Sequence, residues 1–195
     1  MSDGLVPTGD GHTELDEDER HDLIPTYIAT RRELFDAEQR NITKALLRAR
    51  PTADRLLDDK YLRDLHRWMF GDVWSWAGRY RIRETNIGVE PALIATGVRT
   101  LVADTRAWIE LTTYPIDEIG ARFHHRLVAV HPFVNGNGRH GRIAADLLLT
   151  ALGQEPFSWG SGSAVDTDRL RRAYREALVA ADHDDLHLLL AFVRS

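Results

Sequence analysis

Apolar side chains recur at three- and four-residue intervals over most of this chain, the period of a helix with one buried face. From Arg31 to Arg50, Leu34, Ala37, Ile42, Ala45 and Leu46 fall near that spacing, and Pro51 ends the stretch. Asp58 to Phe70 repeats it, with Leu62, Leu65 and Met69 on one face. Ala92 to Leu111 is also predicted to be helical. In the next segment Ile116, Ile119, Phe123, Leu127 and Val130 are spaced 3, 4, 4 and 3. Gly138 to Leu152 carries Ile143, Leu147 and Leu148, with Gly153 placed to stop it. Asp166 to Ala181 and Asp185 to Val193 are the last two predicted helices. One stretch breaks the pattern. Trp74 and Trp76 lead into a turn at Ala77-Gly78, and Arg79 to Val89 is short, β-leaning and interrupted by Asn86 and Gly88. That reads as a small hairpin. No repeat is visible. The expected architecture is all-α with one small β-hairpin.

The first twenty residues have no such periodicity. They hold seven acidic residues, one arginine and four glycines or prolines, the composition of a flexible acidic tail. Residues 21–195 are left as a single domain. A chain of 195 residues can bury roughly 70% of its unfolded surface, enough for a substantial core. A net charge of −5 argues against nucleic-acid binding by bulk charge. Cysteine is absent, which excludes a disulfide framework and thiolate metal sites. No apolar run reaches the roughly 18 residues of a membrane span, and no basic-then-apolar signal pattern opens the chain. A cytoplasmic location is expected.

Candidate chemistry is concentrated in residues 131–142, His-Pro-Phe-Val-Asn-Gly-Asn-Gly-Arg-His-Gly-Arg. Gly136 and Gly138 are expected to allow positive φ and close approach of a ligand to the backbone. A helix begins right after them, so its first amides can cradle an anion. Arg139 and Arg142 are i,i+3 and share a face; two guanidiniums beside such a cradle suit a polyphosphate. His131, just upstream, is placed to act as a base on whatever the cradle holds. The bland readings are a capping cation for His131 and an ordinary Asn-Gly turn. The co-occurrence of base, glycines and arginines in one segment favours the site. Phe133 reads as an anchor in either case.

This segment resembles the signature of the Fic family, His-x-Phe-x-(Asp/Glu)-Gly-Asn-Gly-Arg-x-x-Arg, with Asn135 in place of the carboxylate. Leu65-His66-Arg67-Trp68-Met69-Phe70 followed by Trp76-Ala77-Gly78 is similar to the family segment that leads into its flap. The resemblance runs from about residue 22 to the end and is strongest to the subgroup called mobile mystery protein B. It implies an all-α Fic fold and a protein adenylyltransferase that uses ATP and Mg²⁺ or Mn²⁺ to attach AMP to a Ser, Thr or Tyr hydroxyl. His131 would be the general base, Gly136, Asn137 and Gly138 the nucleotide cradle, Arg139 the contact to the β-phosphate side and Arg142 the contact to the γ-phosphate. Arg83, Glu84, Thr85 and Asn86 would lie in a flap that pairs with an extended target segment. A solvated hairpin is the bland reading of that flap. The resemblance also implies a toxin-like protein held off by a separate helix-turn-helix or antitoxin-like partner. The family's inhibitory Ser/Thr-x-x-x-Glu-Gly/Asn helix has no match, because Leu34 and Gln39 flank Glu38.

Asn135 is the departure that bears on activity. Mg²⁺ prefers carboxylate and phosphate oxygens, so a neutral amide is a weak candidate ligand. Two other readings therefore stand beside the adenylyltransferase: a nucleotide-binding regulatory module with little transfer, and a Fic-fold kinase or other phosphate-group transferase. A metal site from His124, His125 and His131 is disfavoured, since adjacent histidines point to different helix faces. No Gly-Lys-Ser/Thr follows the glycines, which removes a P-loop. Asp146, four residues after Arg142, is expected to pair with it on the helix surface.

Overall fold

The computed structural model describes residues 21–161 and 167–195. The acidic stretch 1–20 and Asp166 lie outside the described residues. Helix α1 (Arg31–Arg48) starts at a reciprocal cap: the Thr30 side chain accepts from the Glu33 amide and the Glu33 carboxylate accepts from the Thr30 amide. After the short α2 (Ala53–Leu56), α3 (Asp59–Phe70) is capped by Asp58, whose side chain accepts from the Tyr61 amide. A 3₁₀ turn over Pro91–Leu93 leads into α4 (Ile94–Glu110). Helix α5 (Ile116–Val130) places Asp117 and Glu118 in its first turn, where carboxylates favour the helix dipole. Then come α6 (Asn137–Ala151), α7 (Thr167–Asp182) and α8 (His187–Val193).

The apolar stripes read from the sequence meet in the main core. Leu34, Ile42 and Ala45 of α1 join Leu62, Leu65 and Met69 of α3, Leu101 of α4, Phe123 and Leu127 of α5, and Leu148 of α6. A second cluster, with Tyr174, Ala177, Leu189 and Phe192 at its centre, seats α7 and α8 against Ala121 of α5 and Leu149 of α6. Helices α5 and α6 pack on one another, and the loop between them is the 131–136 segment. That loop is therefore fixed at both ends by buried helices. Trp74 and Trp76 are buried and stacked, with ring centroids 5.2 Å apart, as core beneath the site.

The hairpin expectation is corrected. Among the described residues no strand forms, and an isolated β-bridge joins Leu23 to Trp74. Residues 79–90 run as an irregular segment because their backbone groups bond elsewhere. The Arg81 amide donates to the Pro132 carbonyl at 3.0 Å, and the Val89 amide to the Val130 carbonyl at 3.4 Å. The Arg81 guanidinium takes up the carbonyls of Arg83 and Val89. A two-stranded ladder needs these same groups.

Candidate active site

Helix α5 ends at His131, which caps it in the left-handed conformation at φ 51°, ψ 60°. A non-glycine residue there carries backbone strain, of order 1–3 kcal/mol, which persists only where surrounding contacts impose it. Those contacts are visible. The His131 carbonyl accepts from Arg81 Nε at 2.7 Å, and its amide donates to the Leu127 carbonyl at 3.3 Å. Gly88 lies directly over it: a Cβ at Gly88, where φ is +102°, would stand 2.5 Å from the His131 Cβ. The 81–89 segment thus crosses His131 and can do so only with glycine at the crossing.

The loop that follows is built by buried side chains. Asn137 Oδ1 accepts from the Phe133 amide and Asn137 Nδ2 donates to the Phe133 carbonyl, both at 2.9 Å. This closes the turn as a backbone pair would. His66 Nε2 lies 3.0 Å from the Asn135 carbonyl, while its Nδ1 accepts from the Gly78 amide at 3.0 Å. These two partners fix the neutral Nε2–H tautomer. Burial and the neighbouring His140 hold the His66 pKa well below its ordinary value. The His66 ring stacks on Phe133 at 3.7 Å, and His140 Nε2 bonds the Leu62 carbonyl at 2.9 Å. Gly136 stands at φ +79°, and a Cβ there would meet the Phe70 ring at 2.7 Å.

The expectation for the glycines is corrected in one respect: only Gly136 has positive φ, and Gly138 lies inside α6. Gly138 contributes openness instead, since a Cβ there would find only the Tyr174 hydroxyl, at 3.9 Å. The role of Asn137 is also sharpened. Its side chain is committed to Phe133, so only its backbone is available to a ligand. No side chain caps α6, and its first-turn amides have no intrahelical acceptor.

The arginines differ. Arg139 Nη1 donates to Glu38 Oε2 at 2.6 Å, and its guanidinium lies 4.7 Å from the Phe70 ring centre. Arg142 lies over Tyr174 at 5.5 Å. Asp146 has further partners besides the expected one: its carboxylate accepts from the Trp159 indole at 3.0 Å and the Phe157 amide at 3.1 Å. Burial pushes the Asp146 pKa up to about 6, with those donors and the Arg142 charge pulling it back. Asn135 Oδ1 accepts from the Gly136 amide at 2.7 Å. As a metal ligand it offers one neutral oxygen that already holds a proton donor. Among the described residues no group of three His, Cys, Asp or Glu could hold an ion.

His131 and Gly138 line one wall of a cleft of about 580 Å³, completed by Ile87 and Gly88, by Val128 and Ala129 of α5, and by Tyr174, Arg175, Leu178 and Val179 of α7. That volume suits a ligand of mononucleotide size. His125 and Asp182, 2.8 Å apart, lie at its edge, and His124 bonds the Tyr174 hydroxyl at 2.9 Å. Both adjacent histidines are therefore tied to α7 rather than to one metal. The α7 wall went unnoticed in the sequence, because Tyr174 and Leu178 look like any apolar helix stripe. Arg81 was passed over for the same reason: nothing local marks an arginine as buried.

The Fic/DOC family profile matches residues 56–149. Over 176 residues, 86% of each chain, this chain is 30% identical to a probable protein adenylyltransferase of Sinorhizobium fredii. The chain belongs to the Fic/DOC family. It is also 31% identical over 135 residues to a Caenorhabditis elegans protein adenylyltransferase, covering 67% of this chain and 25% of that relative. A Bartonella tribocorum BepC structure with bound AMPPNP superposes with a TM-score of 0.68 at 18% identity, covering 92% of this chain and 97% of that one. The Fic fold is all-α among the described residues, with an irregular segment over residues 79–90 in place of a hairpin.

Proposed function

We infer that this Fic protein is a protein adenylyltransferase that moves AMP from ATP to a hydroxyl of a target protein. The observation that carries the reading is the meeting of His131, the open first turn of α6 and the mononucleotide-sized cleft at one place. The adenylyltransferase names of the relatives support it. In this reading the adenosine part occupies the cleft and the phosphates lie over Gly136, Asn137 and Gly138, with Arg139 and Arg142 flanking them. His131 accepts the proton of a Ser, Thr or Tyr hydroxyl. The hydroxyl oxygen forms a bond to the α-phosphorus as the bond from that phosphorus to the bridging oxygen breaks, and pyrophosphate leaves with the electron pair. The product is a phosphodiester of AMP on the target. The amides of α6 and the arginines oppose the charge that develops on the phosphates.

Mg²⁺ or Mn²⁺, where bound, would be held by phosphate oxygens with Asn135 as the neutral protein ligand, and would supply charge compensation. Arg83, Glu84 and Asn86 are exposed and Thr85 is half-buried, so this segment can meet a target chain edge-on. Main-chain pairing there would bring a target hydroxyl toward His131, because Arg81 ties the same segment to the His131 carbonyl. No described helix is long and apolar enough to cross a membrane, which fits a cytoplasmic location. Toxin-like action restrained by a separate antitoxin-like or helix-turn-helix partner is kept as part of the proposal, on the mobile mystery protein B resemblance.

The test is to incubate the purified protein and cell extract with ATP labelled at the α- or at the γ-phosphate. Label on protein from α-labelled ATP alone is the expected result. Label from the γ-position would establish a kinase. Tight ATP binding with neither label transferred would establish a nucleotide-binding regulator.

A further inference from the structure

Glu38 lies in α1, far from the motif in sequence, and yet its carboxylate is buried against it. Oε2 accepts from Arg139 Nη1 at 2.6 Å, and Oε1 accepts from the Trp74 indole at 2.7 Å. Arg139 in turn lies on the Phe70 ring, the same ring that blocks any side chain at Gly136. One carboxylate, one indole and one phenyl ring therefore define where this guanidinium sits. Neither Glu38 nor Arg139 is among the residues that line the cleft, so Glu38 reaches a ligand only where Arg139 meets the phosphates beside that cleft, as the adenylyltransferase reading places them.

A buried ion pair is a weak device for stability alone, because desolvation of two charges offsets most of their attraction. This pair does something an apolar contact would not. It engages Nη1, and among the described residues the Nε and Nη2 donors make no hydrogen bond. A guanidinium pinned at one nitrogen and lying over a ring keeps its other donors in a narrow range of directions, and little rotamer freedom remains to be lost when phosphate oxygens arrive. Resting on the adenylyltransferase reading, we propose that Glu38 is a positioning residue, which holds Arg139 oriented for the polyphosphate of the nucleotide.

The test is a double-mutant cycle of Glu38→Gln and Arg139→Ala, read by target labelling from α-labelled ATP and by calorimetry with ATP and AMP. Glutamine keeps the shape but turns an amide N–H₂ toward one of two donors. Glu38→Gln in the otherwise native chain is expected to lower kcat/KM at least tenfold and to weaken ATP more than AMP. In the Arg139→Ala background the same change is expected to have no further effect on either readout. Equal losses in both backgrounds, unchanged transfer in folded Glu38→Gln, or faster transfer would overturn the proposal. If Glu38→Gln does not fold, Trp74→Phe removes the other donor to the carboxylate while keeping a ring. It is expected to give a smaller loss that again vanishes when Arg139 is alanine, and additivity would count against the idea. Wild type that neither binds ATP nor transfers its α-label sinks the enzymatic reading and this role with it. Transfer by wild type with an additive cycle sinks only the role of Glu38.

Discussion

The motif loop 131–138 and the crossing segment 79–90 face each other across the same histidine, but they are held in opposite ways. The loop is fixed from within by several buried groups that each satisfy two partners: Asn137 on both polar groups of Phe133, and His66 between Asn135 and Gly78. The segment is held at few points, chiefly through Arg81, with the Val89 amide on the Val130 carbonyl and the Tyr80 hydroxyl on Asp59 at its ends. Arg81 supplies bonds to the carbonyls of His131, Arg83 and Val89, while Ile82, Arg83, Glu84, Asn86 and Ile87 stay exposed. Groups that must hold a strained histidine to within fractions of an ångström gain from redundancy. A surface that must accept another chain needs free edges and needs only to be tethered.

The largest effect should come from the loop side. His131→Ala is expected to lower transfer by about 10²–10⁴-fold, the usual contribution of a general base, while ATP affinity stays within a factor of a few. Transfer at the wild-type rate, measured by label incorporation, would remove His131 from the chemistry.

Next is Arg81→Ala, which should release the segment and leave the loop in place. Each hydrogen bond from its charged group is worth about 1.5–3 kcal/mol, so losing target alignment should lower transfer roughly ten- to a hundredfold. Hydrogen exchange should speed up over residues 82–90 and stay slow over 133–148. Uniform acceleration across both regions would show that the two are one cooperative unit.

The buried histidines give a pH test of the loop side. Burial lowers His140 to about 4 and His124 to about 3. A depressed folded pKa means that the unfolded chain takes up protons first on acidification. Stability is therefore complete above pH 6.5 and falls as pH drops from there toward 4, by on the order of 3 kcal/mol per histidine at most. Asp146, raised to about 6, runs the other way: its folded form takes up a proton first, so its term favours the fold as pH falls from 6 toward 4. With His66 shifted in the same direction, three histidines outweigh one aspartate, and net acid destabilisation is expected in urea titrations across this range. His140→Gln should flatten the slope. An unchanged slope would mean the ring is not held neutral by its burial against Leu62.

The smallest effect is expected at Asn135. Asn135→Asp adds a charged oxygen next to the phosphates, and should lower the Mg²⁺ concentration for half-maximal transfer several-fold with no change in melting temperature. No shift would place the metal on phosphate oxygens alone.

The same contrast explains what the sequence made legible. The helices of the core followed from apolar spacing, and their boundaries fell within a few residues of Thr30, Asp58 and Pro115 caps. The motif was legible because its parts are contiguous in residues 131–142, and two of them, His131 and Gly138, line one cleft. What stayed hidden depends on long-range partners. The hairpin reading failed at Arg79–Val89 because local β-preference cannot reveal that Arg81 bonds Pro132 and His131. Asp146 read only as a helix-surface partner for Arg142; that the 157–159 loop also folds onto it is not visible in local spacing. Glu38 was considered only as a candidate for an inhibitory motif it does not match; its bond to Arg139 spans 101 residues.

Stoichiometry tests the central claim most directly. With a modified target in hand, pyrophosphate release and AMP bound to the target hydroxyl should be measured in the same reaction. The account predicts one pyrophosphate for each AMP attached, both lost together in His131→Ala. Release of ADP or orthophosphate in step with target modification would contradict it.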